Sequence, residues 1–334
     1  MKLRFFEDYR TLIWALVLFP LAPVIAYARP ALAPWLLPLN LYLAYCAGIF
    51  AHNHNHCSVF QGRRSNTVYS AWLSMFYGAP LFTWIPTHNQ NHHRYVNSDL
   101  DATSTRRRSS ENSLWNATTY PFLSTLWQLP AIRDYVGQAR RQHPRRWFEI
   151  RLQCAVLIVA HLAAISLAIA LHGFEVGART YALAGAIPAL FAPWAMMFTN
   201  YVQHVDCDAD SPHDHSRNFV GRVSNWLVFD AGYHTVHHEH PGTHWSRYAE
   251  LHRAREAAID PRLNESSIFS YCFKRYLLRT TGLPGPTPTL SIGRCRTRGV
   301  SARPPPLGLP AGQRIYLKLS KNAQMPAAAN VGQL

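Results

Sequence analysis

Acidic side chains are scarce in this chain. Its 334 residues hold 33 Lys and Arg against 18 Asp and Glu, a formal excess of +15. That balance calls for a partner or surface of negative charge. Long uncharged runs and abundant aromatics favour lipid head groups over nucleic acid, and no nucleic-acid partner is expected. The six cysteines (Cys46, Cys57, Cys154, Cys207, Cys272 and Cys295) include no CxxC pair. This excludes a zinc ribbon and a disulfide framework and leaves reduced thiols. Internal repeats are absent. No cleavable leader is expected: Glu7 and Asp8 interrupt the basic start and a long apolar run follows. The first span is therefore expected to be an uncleaved anchor.

Charge nearly vanishes over four stretches, at about 11–29, 31–51, 152–172 and 180–200. Each approaches the roughly 20 residues that cross a bilayer as a helix. Pro20 and Pro23 are expected to kink the first. Short connections join the first to the second and the third to the fourth. The expectation is an all-α, multi-pass membrane bundle: four transmembrane helices in two hairpins, capped by helices from 52–151 and 201–283. Lys and Arg concentrate in the N-terminus, in 52–151 and after 201, so these parts are expected to face the cytoplasm. The apolar 67–86 segment is read as a partly buried or interfacial helix, and 114–132 as lying on the membrane surface. Residues 1–283 form one domain in this reading. Residues 284–334, rich in Pro, Gly and Arg without apolar periodicity, are expected to be a disordered tail.

Against these absences stand 18 histidines. Nine of them fall in short clusters beside the ends of the apolar runs: His52 and His56; His88, His92 and His93; His204, preceded by Asn200; and His234, His237 and His238. On a helix, positions i, i+3 and i+4 share a face. Imidazole pairs at i, i+4 are a metal-binding device, as in the H-E-x-x-H zinc helices, although no consistent Glu lies between these pairs. In the second cluster, His88 and His92 are expected to share one face while His93 reaches a different ion. A tetrahedral zinc needs four ligands, so nine nitrogens imply two ions with four or five each. Imidazole suits zinc, copper, iron and nickel alike.

The pattern His52-x-x-x-His56, His88-x-x-x-His92-His93, His234-x-x-His237-His238 with Asn200-x-x-x-His204 resembles the integral-membrane fatty acid desaturases. The related membrane hydroxylases and carotenoid ketolases carry it too. The resemblance covers about 10–280. It implies a non-haem di-iron centre held by those nine histidines, with Asn200 contributing through a water. It implies O2 as co-substrate, a lipid acyl chain as substrate, and electrons from a ferredoxin, rubredoxin or cytochrome b5. Desaturation is the expected outcome; hydroxylation and ketolation use the same centre. A non-catalytic metal-binding or transporting membrane protein is the competing class, but it requires ionisable groups deep in the spans, and only His161 lies there. A bacterial inner membrane is expected rather than the endoplasmic reticulum. Arg63, Arg64 and Arg106–Arg108 are candidate docking charges for an acidic donor.

The other histidines are read more simply. His54 is assigned to the surroundings of the ligands or to solvent, and His240 and His244 to structural or ligand-supporting roles. His161 is expected to be a hydrogen-bonded bundle residue, and His143, His172 and His252 surface residues. The acidic residues of 204–215 are expected to orient ligating imidazoles or cap a helix, and Asp99 and Asp101 are read in the same way. His240-Pro241-Gly242 resembles a cytochrome b5 haem motif but lacks its second glycine, so no fused haem domain is expected.

Overall fold

The computed structural model describes residues 2–278. These residues are mostly helical; the strands among them are Asn218–Phe219 and Asn264–Glu265, paired in parallel. The expected tail lies outside the described residues, as does Cys295. The other five cysteines are free thiols.

Three helical runs are long and apolar enough to cross a membrane. The first two are α1 (Asp8–Ala28) and α2 (Pro30–His56), joined at Arg29, whose φ of −142° breaks the helix. Two further spans were expected beyond them. They occur instead as one run, Pro144–His204, made of α5 (Pro144–Tyr181), a π-helical turn Ala182–Ala186 and α6 (Ile187–His204). The run is not straight. Gly173 sits at φ 74°, ψ 170°, a conformation that a side chain would resist. Beyond it the chain doubles back, so that the Tyr181 hydroxyl lies 3.0 Å from His161 Nδ1. A straight helix would set those residues about 30 Å apart.

Large apolar side chains point outward on these runs, among them Leu16, Val24, Ile158, Leu162 and Leu167. Such a continuous exposed apolar surface suits lipid rather than water. Between the second and third runs lie α3 (Arg63–Tyr77) and α4 (Leu114–Gln142). The start of α4 is capped by Ser113, whose hydroxyl accepts from the Asn116 amide at 3.3 Å. One face of α4 buries Ala117, Tyr120 and Ser124, while Trp115, Phe122 and Leu126 are exposed.

The main core draws together Phe19 of α1, Ile49 and Phe50 of α2, Leu73 of α3, Ala192 of α6, and Phe229, Val236 and Trp245 from the C-terminal part. The N-terminus is stitched to that part. Asp8 accepts from Trp245 Nε1 at 3.2 Å and lies 3.2 Å from His244 Nε2. The Arg10 guanidinium stacks 4.1 Å from the Phe229 ring and 4.7 Å from Trp226. This contact network fixes the approach of the last histidine cluster to α2.

Candidate metal centre

α2 ends in the first cluster, so its last turns carry His52 and His56 directly into the core. The second cluster lies on a π-helical turn, Ile85–His92, that runs into His93. A π-turn closes i to i+5 rather than i to i+4. It therefore aligns His88 with His93, whose Nε2 atoms are 3.0 Å apart, and turns His92 away. The expectation that His88 and His92 share an ion fails for this reason. The third cluster occupies the short helix His234–Glu239. It is positioned from behind: Asn218 Oδ1 accepts from the Thr235 amide at 2.9 Å, and Asn225 Oδ1 accepts from the Gly232 amide at 3.1 Å. His204 closes α6.

The nine imidazoles form two groups able to hold a metal ion. His52, His56, His88, His93 and His237 make one; His92, His204, His234 and His238 make the other. Both the second and the third clusters are divided between the groups. Within the first, His52 Nε2 lies 2.9 Å from both His88 Nε2 and His237 Nε2. Within the second, His234 Nε2 lies 2.9 Å from His204 Nε2 and 3.1 Å from His238 Nε2.

A neutral imidazole has one N–H, so ring nitrogens crowded in this way cannot all be hydrogen-bonded to each other. Two of them are fixed as lone pairs. His92 donates through Nδ1 to Asp101 Oδ2 at 2.7 Å, and His204 donates through Nδ1 to the His215 carbonyl at 3.0 Å. His92 Nε2 and His56 Nε2 are buried with no partner. Converging, desolvated lone pairs are what a cation requires. Protonation cannot substitute for it. Burial first, and then the neighbouring imidazoles, push His88, His93, His234, His237 and His238 well below the usual histidine range.

The supporting carboxylates are in part those expected. The acidic residues of 204–215 do not bond the clustered imidazoles. Asp206 accepts from Asn112 at 2.7 Å, and Asp214 accepts from the Asp260 amide at 2.8 Å. The orienting carboxylate is Asp101, delivered by a loop whose Asn97 adopts φ 60° and donates to the His204 carbonyl at 3.1 Å. Burial alone would raise the Asp101 pKa, but its close contact with the His92 ring and the hydrogen bonds it accepts from His92 and Thr103 hold it well below the carboxylate range. Tyr248, at the start of the helix Tyr248–Arg255, places its hydroxyl 3.0 Å from His237 Nδ1. Nothing in the sequence marked it.

Among the remaining histidines, His54 faces away from the groups and accepts from the Val59 amide at 3.3 Å. His244 is structural, through Asp8. His240 lies 3.8 Å from Glu239. His161 is hydrogen-bonded within the bundle. His143 is exposed. His172 is half-buried and His252 is buried, so neither is a free surface residue. His172 donates to the Tyr27 carbonyl at 2.7 Å, and His252 is buried against Tyr233, 5.0 Å between ring centroids. The periodicity of a helix as short as Tyr248–Arg255 was too brief to reveal the inward face that carries His252. Arg63 pairs with Glu149 at 2.9 Å, and Arg106 donates to the Asn97 carbonyl at 3.1 Å. Arg64 is exposed.

A cavity of about 200 Å³ reaches both groups, touching His52 and His88 on one side and His234 on the other. Ile49, Tyr77, Trp84 and Met196 give it apolar walls. Asn200 also lines it, donating through Nδ2 to the Tyr120 hydroxyl at 2.8 Å.

Fold and site together define a class: a helical, membrane-type protein in which two adjoining histidine groups, each able to bind metal, meet an apolar cavity. Residues 11–267 match the fatty acid desaturase family, and the chain belongs to that family. No curated protein and no solved structure matches it at significance.

Proposed function

We propose that the chain is an O2-dependent di-iron membrane oxidoreductase that introduces a double bond into a lipid acyl chain. The observation that carries this reading is the meeting of two buried imidazole groups at one apolar cavity. In it, His52, His56, His88, His93 and His237 hold one iron, and His92, His204, His234 and His238 hold the other. Bound iron would supply the activation of O2 needed to remove hydrogen from an unactivated C–H bond.

The chain's own residues do the rest. Apolar walls bind the acyl chain, at about 0.8 kcal/mol per buried methylene, and keep water from the reacting carbon. Asp101 and the His215 carbonyl hold His92 and His204 in the tautomer that leaves Nε2 free, and the Tyr248 hydroxyl orients the His237 ring. Asn200 positions a water beside the second group.

The membrane layout belongs to the same proposal. α1, α2 and the two arms on either side of Gly173 cross the bilayer as two hairpins, at about 11–29, 31–51, 152–172 and 180–200. The histidine-bearing ends face the cytosol of a bacterial inner membrane. An acidic carrier, whether ferredoxin, rubredoxin or cytochrome b5, delivers electrons by docking near Arg64 and Arg106–Arg108. Lipid analysis of cells expressing the chain, against a His238→Ala control, tests the activity. A new double bond that depends on His238 supports it, and an oxygenated product reassigns the chain to hydroxylation or ketolation. Unchanged lipids in cells whose protein carries both metals overturn the proposal.

A further inference from the structure

A second apolar cavity, of about 410 Å³, lies farther along α2. Phe19 of α1, Asn40 and Ala44 of α2, Phe76 of α3, Leu167 of α5 and Pro188 of α6 line it. Of its polar side chains, His161 is engaged with the Tyr181 hydroxyl and the Met75 carbonyl and Tyr27 donates to the Ala164 carbonyl, while Asn40 Nδ2 is buried without a partner. The two cavities share the same helices. On α2 the metal-side cavity takes Tyr45, Ile49 and His52, and the second takes Asn40, Leu43 and Ala44. On α3 they meet between Phe76 and Tyr77.

The two linings use adjacent residues, Ala44 and Tyr45 on α2 and Phe76 and Tyr77 on α3. Ala44 and Gly48 are one helical turn apart, about 6 Å. At that turn Gly48 has no side chain, and Met196 of α6 occupies the space. A Cβ at Gly48 would lie 2.6 Å from Met196 Cγ, 3.0 Å from its Sδ and 3.1 Å from Tyr77 Cε2. Met196 and Tyr77 both line the metal-side cavity. Methionine is unbranched, with several rotatable bonds, and repacks more readily than other apolar side chains.

We propose that Met196, seated on Gly48 and Tyr77, is the partition that sets how far a lipid chain can run past the histidine groups. The second cavity receives the far end of a chain once that partition yields. Substrate length is thus decided on α2 and α6, away from the metal ligands. This rests on the proposed lipid-chain substrate, although its test requires no turnover.

The experiment uses the full chain, purified in detergent. A fluorescent fatty acid is displaced by a series of saturated fatty acids of increasing length. Each methylene that enters an apolar cavity raises affinity about fourfold. Affinity should therefore climb with length and level off where the chain meets Met196. Met196→Ala should move that plateau to longer chains, while Met196→Phe, filling the same space, should hold it or shorten it. Gly48→Ala, which pushes on Met196 and Tyr77, should also shorten it. Circular dichroism and thermal unfolding identify any variant that fails to fold, and the two Met196 variants carry the test if Gly48→Ala is one. A plateau that stays put in folded Met196→Ala overturns the partition, as does a wild-type series that never levels off. If the plateau shifts as expected but no variant or wild type turns lipid over, the partition stands and the desaturase reading fails.

Discussion

Replacing Asp101 with Asn should empty one histidine group and spare the other. Asp101 is fully buried and receives four donors. Oδ2 accepts from His92 Nδ1 at 2.7 Å and from the Asn97 amide at 2.8 Å; Oδ1 accepts from the Thr103 amide at 2.8 Å and hydroxyl at 2.7 Å. An amide is nearly the same shape but turns one acceptor into a donor. If its NH2 faces Thr103, the Thr103 amide loses its acceptor. If it faces His92, either the imidazole N–H is orphaned or the ring adopts the other tautomer. That tautomer carries its proton on Nε2, the atom otherwise free to bind metal.

An orphaned buried donor costs about 1–3 kcal/mol, and loss of a ligand-orienting partner weakens metal binding roughly 10–100-fold. The penalty should fall on the group of His92, His204, His234 and His238, because Asp101 touches no member of the other. The assay is chelator titration of the iron-loaded protein, followed by elemental analysis. The wild type should release metal in two tight phases. Asp101→Asn should release one equivalent about 10–100-fold more easily and keep the second phase unchanged. Unaltered release of both, or equal loosening of both in a folded variant, would refute the assignment of Asp101 to one group.

The pH dependence of the metal-free protein has a determined sign. The buried histidines outside the spans, His88, His93, His234, His237 and His238, titrate below their unfolded value of about 6.5. Below that pH the unfolded chain binds protons that the folded chain refuses. Stability should thus be flat above about pH 7 and fall as pH drops, by up to about 1.4 kcal/mol per histidine per pH unit; a Tm that rises on acidification contradicts it. Tyr248→Phe removes the hydroxyl at His237 Nδ1. It should loosen the five-histidine group about tenfold and leave the release phase of the other unchanged, the converse of Asp101→Asn. Asn200→Ala should lower turnover more than it lowers Tm, and unaltered turnover would remove Asn200 from the site.

Much of this was legible because spacing and charge are local properties. Helical periodicity put His52 with His56 and Asn200 with His204, and the uncharged runs located α1 and α2 to within a few residues. The division of ligands between two groups was legible only in number. Which histidine went where depended on the π-turn at Ile85–His92, and hydrophobic pattern does not distinguish a π-turn from an α-turn over eight residues. Gly173 was visible as a glycine between two apolar runs, yet its reversal without a loop was not. Asp101 was legible as a carboxylate that could orient an imidazole, whereas its partner His92 and the Tyr248 hydroxyl behind His237 were not. The acidic residues of 204–215, adjacent in sequence to His204, were misleading: adjacency along the chain does not place a carboxylate behind the ring it follows. His252 showed the opposite error, a polar-looking helix with a buried face.

Nine histidines divided between two groups should build two metal sites rather than one site or none. The most direct measurement is the iron content of the purified, folded chain alongside His204→Ala and His56→Ala. Two groups predict about two irons per wild-type chain. They also predict that each variant loses mainly one, with distinct spectroscopic signatures for the iron that remains. A single iron in the wild type, or the loss of the same iron in both variants, would contradict the two-site account.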